Sequence, residues 1–159
     1  MDFVHDNLFN DRKIRRLTIV DIFSKVSPAI GVAASYRGWN VVETLEIAVR
    51  ENGKPHQIRV DNGPEFISKE LDLWAYSNNV ELDFSRPGKP TDNAFIESFN
   101  SRFRQECLNQ HWFLDMVDPN AKIAVWLRHD NTERPHSAIG DLTPFEFVNS
   151  MNQASLVHG

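Results

Sequence analysis

Residues 85–109 constrain this chain more than any other stretch. They begin as a basic loop broken by Pro87, Gly88 and Pro90, then turn helical at Thr91 or Asp92, either of which can cap free backbone N–H groups. Ile96, Phe99, Phe103 and Cys107, with Phe95 beside them, recur at three- and four-residue steps and give one buried face. Asn93, Glu97, Asn100, Ser101 and Arg104 fall on another face, where one carboxylate stands among amides, a hydroxyl and a guanidinium. Such a surface suits a metal-bound polyanion better than it suits a core. The plain alternative is the solvated side of an amphipathic helix, and other carboxylates must lie beside Glu97 to decide between the two.

The rest of the chain sets the frame for that helix. Its 159 residues are enough for one domain with a real core, and 41% hydrophobic with 25% charged residues is the balance of an ordinary globular protein. No apolar run approaches the roughly 20 residues that cross a bilayer. The first residues, Met1-Asp2-Phe3-Val4-His5-Asp6, carry acids where a secretory signal carries positive charge and an apolar centre, so nothing there points to export. A single cysteine, Cys107, fits a reducing compartment and, on the apolar helix face, reads as a buried inert thiol. The net charge of −5 argues against a domain that is basic overall. Locally the balance reverses: Arg86, Lys89, Arg102 and Arg104 outnumber Asp92 and Glu97, and a second basic cluster holds Arg12, Lys13, Arg15 and Arg16.

Strands are expected at residues 2–9, 15–23 and 29–34, closely spaced as in an antiparallel meander. Val41, Leu45 and Val49 give a helix from Trp39 that stops at Asn52-Gly53. A strand at 57–60 ends in Asp61-Asn62-Gly63-Pro64, Ser68 caps a second helix, and residues 80–84 form a further strand. The last third reads as helical, with Asp118-Pro119 opening one helix and Thr143 to Glu146 forming a capping box before another that ends near Ser150. This order implies an α/β fold with a mixed sheet, in which chemistry gathers at the carboxyl ends of parallel strands. Asp61 lies at one such end, Asp2 on the first strand, and Glu97 on the late helix. Residues 1–150 are taken as the domain and 151–159 as a disordered tail. The four tryptophans, Trp39, Trp74, Trp112 and Trp126, read as core.

With 22 acidic residues, the spacing of Asp61 and Glu97 means little alone. Their surroundings mean more. Asp61 stands in Val60-Asp61-Asn62-Gly63-Pro64-Glu65-Phe66, and Glu97 in a Pro-Gly-Lys-Pro-Thr-Asp-Asn-Ala-Phe-Ile-Glu-Ser-Phe-Asn run. These stretches resemble the catalytic core of the integrase and transposase superfamily, and more narrowly the bacterial insertion-sequence family three transposases. Glu106-Cys107-Leu108-Asn109, the segment from Asn131 through Arg134-Pro135-His136-Ser137, and Leu142-Thr143-Pro144 resemble that family too. The likeness departs at Leu127, His129 and Asp130, which reads as a surface outside the shared pattern.

The resemblance implies a ribonuclease-H-like fold, a mixed five-stranded sheet with helices on both faces. It implies Asp2, Asp61 and Glu97 as catalytic acids and metal ligands, with two Mg²⁺ or Mn²⁺ ions per site. It places Arg86, Lys89, Asn93, Asn100 and Arg104 as DNA contacts. It further implies element-end and target DNA as partners, a homo-oligomer, and a helix-turn-helix recognition protein or fused frame, acting in the bacterial cytoplasm on the nucleoid. The chemistry fits the residues: hard divalent cations take oxygen ligands, and phosphodiester transfer through such ions needs no covalent nucleophile on the protein. Asp6, Asp11 and Asp21 remain rivals for the first acid, Asp21 the strongest, and Glu65 is a candidate helper beside Asp61. His136 is a candidate DNA contact. Two other functions stay open: an inert fragment serving as a DNA-binding or multimerisation module, and a general nuclease of the same fold.

Overall fold

The computed structural model of the chain describes residues 1–89, 91, 93–111 and 117–157. Its elements run β1 (Asp2–Asn7), β2 (Lys13–Thr18), β3 (Ile30–Ala33), α1 (Gly38–Asn52), β4 (Gln57–Val60), α2 (Lys69–Asn78), β5 (Glu81–Phe84), α3 (Ala94–Phe103), a π-helical turn (Arg104–Leu108), α4 (Val117–Thr132) and α5 (Pro144–Val157). β1 pairs antiparallel with β2, Asp2 opposite Thr18 and Asn7 opposite Lys13, and β2 pairs antiparallel with β3. β4 and β5 are parallel, Gln57 opposite Glu81 and Val60 opposite Phe84, with α2 as their crossover.

The α/β architecture holds, but the five strands do not join into one continuous mixed sheet. The strands form a three-stranded antiparallel piece and a two-stranded parallel piece. β1 spends its ladder on β2, and its other edge meets β4 where the Met1 amino group donates to the Arg59 carbonyl at 2.7 Å. Packing joins the pieces. Leu17, Ile58, Val60, Phe66 and Leu71 share one core with α1 and α2, and Phe3 stacks on Phe66 with ring centroids 5.1 Å apart. On the opposite face Val4, Ile14, Phe99, Phe103, Cys107 and Trp126 form a second core under α3 and α4. Alternation along β1 thus sends Phe3 to one core and Val4 to the other, so helices cover both faces. Burying each such large side chain stabilises the fold by roughly 1.5–3 kcal/mol.

Local chemistry sets most boundaries. α1 stops at Gly53, whose φ of 83° suits glycine, and Ser68 Oγ accepts the Leu71 N–H at 3.2 Å to cap α2. The capping box opening α5 is reciprocal: Thr143 N donates to Glu146 Oε2 at 2.8 Å and Glu146 N to Thr143 Oγ1 at 3.2 Å. Four expectations need correcting. β2 ends at Thr18 rather than running to Phe23, because the Asp21 carboxylate accepts the N–H groups of Phe23 and Ser24 and bends the chain. α3 is capped at Asn93 rather than Thr91, and Asp92 lies outside the described residues. α5 continues to Val157 instead of fraying after Ser150. Trp39 is half exposed, whereas Trp74 and Trp126 are buried; Trp112 lies outside the described residues.

Candidate active site

Three elements converge where the carboxyl ends of β4 and β5 meet the start of β1. Asp2 shares a face of β1 with Val4, which packs under α3, so its side chain turns toward that helix. Asp2 Oδ2 accepts the Asn100 amide at 2.8 Å, and Asp2 Oδ1 accepts the Phe3 N–H at 2.7 Å. Fully buried Thr18, opposite Asp2 in the ladder, donates to Asn100 Oδ1 at 2.7 Å and sits 3.1 Å from the Asp2 carbonyl. Asn100 is therefore held from both ends of its amide.

Asp61 follows the last residue of β4. Its Oδ1 accepts the Gly63 N–H at 2.8 Å, which folds the turn back under the carboxylate. A Cβ on Gly63 would lie 2.9 Å from Asp61 Oδ1 and 3.2 Å from Glu65 Oε2, so the close approach requires glycine. Ser85, just beyond β5, ties this rim to α3. Its Oγ lies 3.0 Å from the Val60 carbonyl and 2.7 Å from Asn93 Oδ1, and its carbonyl accepts the Asn62 amide at 2.9 Å.

Helix α3 is thus pinned twice along one face: Asn93 to the Asp61 rim and Asn100 to Asp2. Glu97 lies four residues after the first pin and three before the second, on the same face and exposed. The Glu97 N–H donates to the Asn93 carbonyl at 3.0 Å, closing the first turn. Asp2 and Asp61 repel: burial first, and the Asp61 charge with it, push the Asp2 carboxyl above the usual carboxylate range, although its hydrogen bonds pull the other way. The Met1 amino group is held down to about 6 by burial, with the charges of Asp2 and Asp61 opposing. The Asp61 charge thus acts on both Asp2 and the Met1 amino group. Among the described residues no three His, Cys, Asp or Glu side chains are arranged to hold one ion, so Asp2, Asp61 and Glu97 do not close into one cluster.

The rivals for the first acid have other work. Asp6 pairs with buried Arg16 at 3.3 Å, Asp11 sits in the hairpin turn at φ 60°, and Asp21 forms its own turn. Glu65 is bound by Arg15. Burial pushes its carboxyl up, but the hydrogen bond and charge of Arg15 outweigh that and hold it below the usual range. Among the expected DNA contacts, Arg86, Lys89 and Arg104 are exposed, and Arg104 also donates to the His5 carbonyl at 2.9 Å. Asn93 and Asn100 are engaged in positioning α3. His136 is not a free surface side chain: its Nε2 lies 3.9 Å from Asp130, and Asp130, expected on a drifted surface, is fully buried. Sequence reasoning missed Thr18 and Ser85. Both carried a faint signal: a hydroxyl within or just after an otherwise apolar strand.

Comparison with known proteins bears on the family and the fold. Two family patterns described as integrase core domain match residues 1–90 and 78–144. An uncharacterized 31.7 kDa protein of insertion element IS407 from Burkholderia multivorans is 48% identical over 148 residues, covering 93% of this chain and 53% of the relative. Transposase InsF of insertion sequence IS3A from Escherichia coli K12 is 24% identical over 134 residues, covering 82% of the chain and 46% of the relative. The chain spans about half the length of these curated relatives. Among solved structures, the simian T-cell lymphotropic virus intasome in complex with a PP2A regulatory subunit superposes with a TM-score of 0.81 at 21% identity, over 92% of this chain and 51% of that one. The HTLV-2 integrase catalytic core in complex with magnesium, in its trimeric form, gives 0.65 at 19% identity over 92% and 94%. The fold is that of the retroviral integrase cores, and the chain belongs to the integrase core domain family.

Proposed function

We propose that this chain is the catalytic core of an insertion-sequence transposase, which hydrolyses DNA phosphodiesters at the element's ends and joins the freed 3′ ends to target DNA. The observation that carries this reading is the double pinning of α3, which sets Glu97 between one anchor on the Asp61 rim and one on Asp2.

The donor set fits Mg²⁺ or Mn²⁺. Asp2 and Asp61 offer hard oxygen ligands, and their mutual repulsion is of the kind a cation relieves. The HTLV-2 core, of the same fold, is named as a magnesium complex. Asp2 and Asp61 would hold one ion between them, and Glu97 with Asp2 a second. When bound, such ions supply the positive charge that stabilises attacking and leaving oxygens in phosphoryl transfer. The chain's own residues do the rest. Asn100 and the Phe3 N–H orient the Asp2 carboxylate, and the Gly63 N–H orients Asp61. Arg86 and Lys89, exposed in the loop before α3, and Arg104 beyond it place positive charge on both sides of Glu97, where a DNA backbone runs through the site. The chain acts as a homo-oligomer on element-end and target DNA, with helix-turn-helix recognition supplied by another segment or protein. It works in the bacterial cytoplasm, on the nucleoid when DNA is bound; no described helix is long and apolar enough to cross a membrane.

The test uses labelled element-end DNA with Mg²⁺ or Mn²⁺, comparing wild type with Glu97→Gln. Loss of a charge-positioning acid is expected to lower cleavage by at least about a hundredfold. Equal product from both proteins overturns the assignment. The second reading, an inert DNA-binding or pairing module, draws on the lack of a closed three-ligand cluster among the described residues. Divalent-ion binding by wild type that is lost in Asp2→Asn and Asp61→Asn excludes it.

A further inference from the structure

Two sequence stretches have no part in the site described above: Glu106 to Asn109, and Asp130 through His136. In the structure they meet. Asp130, near the end of α4 and fully buried, lies 3.2 Å from Arg102 Nη2 and 3.1 Å from Arg134 Nε, with His136 Nε2 at 3.9 Å. Arg134 also binds Glu106 in the π-helical turn, and Glu106 Oε2 accepts the Trp126 indole N–H at 3.1 Å. Asn131, next to Asp130, pairs with Ser27 as one strand pairs with another: its Oδ1 accepts the Ser27 N–H and its Nδ2 donates to the Ser27 carbonyl, both at 2.9 Å. The end of α4 is thereby fixed to the sheet side of the molecule, and through Asp130 and Arg134 it grips α3 and its π turn.

The grip has a consequence for Glu97. Apolar contact through Phe99 and Phe103 on Trp126, with centroids 5.6 and 5.0 Å apart, sets how far α3 stands from α4. Such contact is non-directional and leaves rotation and sliding of the helix weakly fixed. Hydrogen bonds are directional, and here Arg102 Nη2 donates to Asp130 Oδ2 at 3.4 Å and Arg134 donates to Glu106. On the front of α3, the Asn100 tie shares Asp2 Oδ2 with any cation bound there. On the rear, Arg102 and Glu106 are tied to groups far from the site. Arg102 is five residues beyond Glu97 on the same rigid helix.

We infer that the Arg102–Asp130–Arg134–Glu106 cluster is a rear latch that sets the rotation and register of α3, so that Glu97 is presented to the Asp2–Asp61 pair. Arg102, Asp130 and Arg134 are positioning residues for the metal site. This inference rests on the metal-site reading above, and its test separates the two.

The experiment compares the full chain with Arg102→Gln and Arg102→Lys. Circular dichroism establishes that each variant is folded, Mn²⁺ binding is measured by titration calorimetry, and amide hydrogen exchange is followed across residues 94–103. Gln removes the charge and is expected to weaken Mn²⁺ binding about tenfold while raising exchange selectively in α3. Lys keeps the charge but loses the planar fork, and a loss of about threefold is expected. A folded Arg102→Gln with unchanged Mn²⁺ affinity overturns the latch, because a merely structural tie would move stability alone. Should Arg102→Gln not fold, Arg102→Lys decides by the same reading: weakened binding supports the latch and unchanged binding overturns it. Should the wild type bind no Mn²⁺, the metal-site reading falls by itself. The exchange arm then decides: selective loss of protection in α3 supports the latch, and unchanged protection overturns it.

Discussion

The front and rear of α3 use the same side chain for opposite ends. At the front, the Asp61 charge pushes the Asp2 carboxyl up, Asp2 is held by the Asn100 amide and the Phe3 N–H, and Glu97 is exposed. At the rear, Asp130 and Glu106 are each gripped by arginine, and Asp130 is wholly out of water. A carboxylate in the first setting stores repulsion that a cation can relieve. A carboxylate in the second is a strut whose loss leaves charges stranded. What separates the two settings is the partner: Asp2 is held by an amide and a backbone N–H, Asp130 by two arginines.

The largest effect expected from this contrast is on Asp130. Replacing it with alanine leaves Arg102, Arg134 and His136 facing a buried void and is expected to cost about 3 kcal/mol in denaturant unfolding. Asp61→Asn, measured the same way without metal, is expected to leave stability unchanged or raise it. Equal destabilisation by both substitutions breaks the comparison. Next in size is the response to metal. At a hundredfold excess over its Kd, Mg²⁺ or Mn²⁺ is expected to stabilise the wild type by about 2.7 kcal/mol, and Asp2→Asn by far less. A thermal shift of the same size in both proteins would place the ion elsewhere.

A smaller effect sharpens the front half. The Asp2 carboxyl is raised on folding, so its contribution to stability is fully present below its ordinary value of 3.8 and is lost as pH rises through the folded value. Metal-free Asp2→Asn is therefore expected to be more stable than wild type at neutral pH, with the gap closing as the solution is acidified toward pH 3.8. Paired denaturant curves across that range check it; a gap that widens on acidification would mean Asp2 is held by a favourable partner.

Much of this arrangement was legible in the sequence. The Ser68 cap, the Thr143–Glu146 box, the stop at Gly53 and the apolar steps of Phe99, Phe103 and Cys107 are local signals, and each sits where the local physics places it. The polar face of Asn93, Glu97 and Asn100 was legible for the same reason. What escaped depends on partners distant in the chain. Arg102 and Asp130 stand 28 residues apart, and nothing in the run Leu127 to Asp130 announces that its last acid is buried. The π-helical turn hides because Phe103 and Cys107 keep a four-residue step into it, while its fixing contact comes from Arg134. The early end of β2 hides because Ile22 and Phe23 look like strand residues, and only the Asp21 turn excludes them. Asn100 enters the sequence reading as a DNA contact implied by the family resemblance; its hydrogen-bond partners, Asp2 and Thr18, come from strands more than 80 positions away.

The smallest effect tests the rear half through His136. Burial holds its imidazole below the ordinary 6.5, with the Asp130 charge opposing and Arg102 assisting. A base whose folded value is depressed contributes stability that is complete above its unfolded value and is lost as pH falls through the folded one. The wild type is therefore expected to lose stability as pH drops below about 6.5, and His136→Gln is expected to flatten that part of the curve. The charged groups facing the imidazole are Asp130, Arg102 and Arg134. Because Asp130 already has two cations, a third charge brings little added attraction and still costs desolvation, which fixes the sign. If acid instead stabilises the wild type relative to His136→Gln, the Asp130 charge outweighs the cost of burying the charged imidazole.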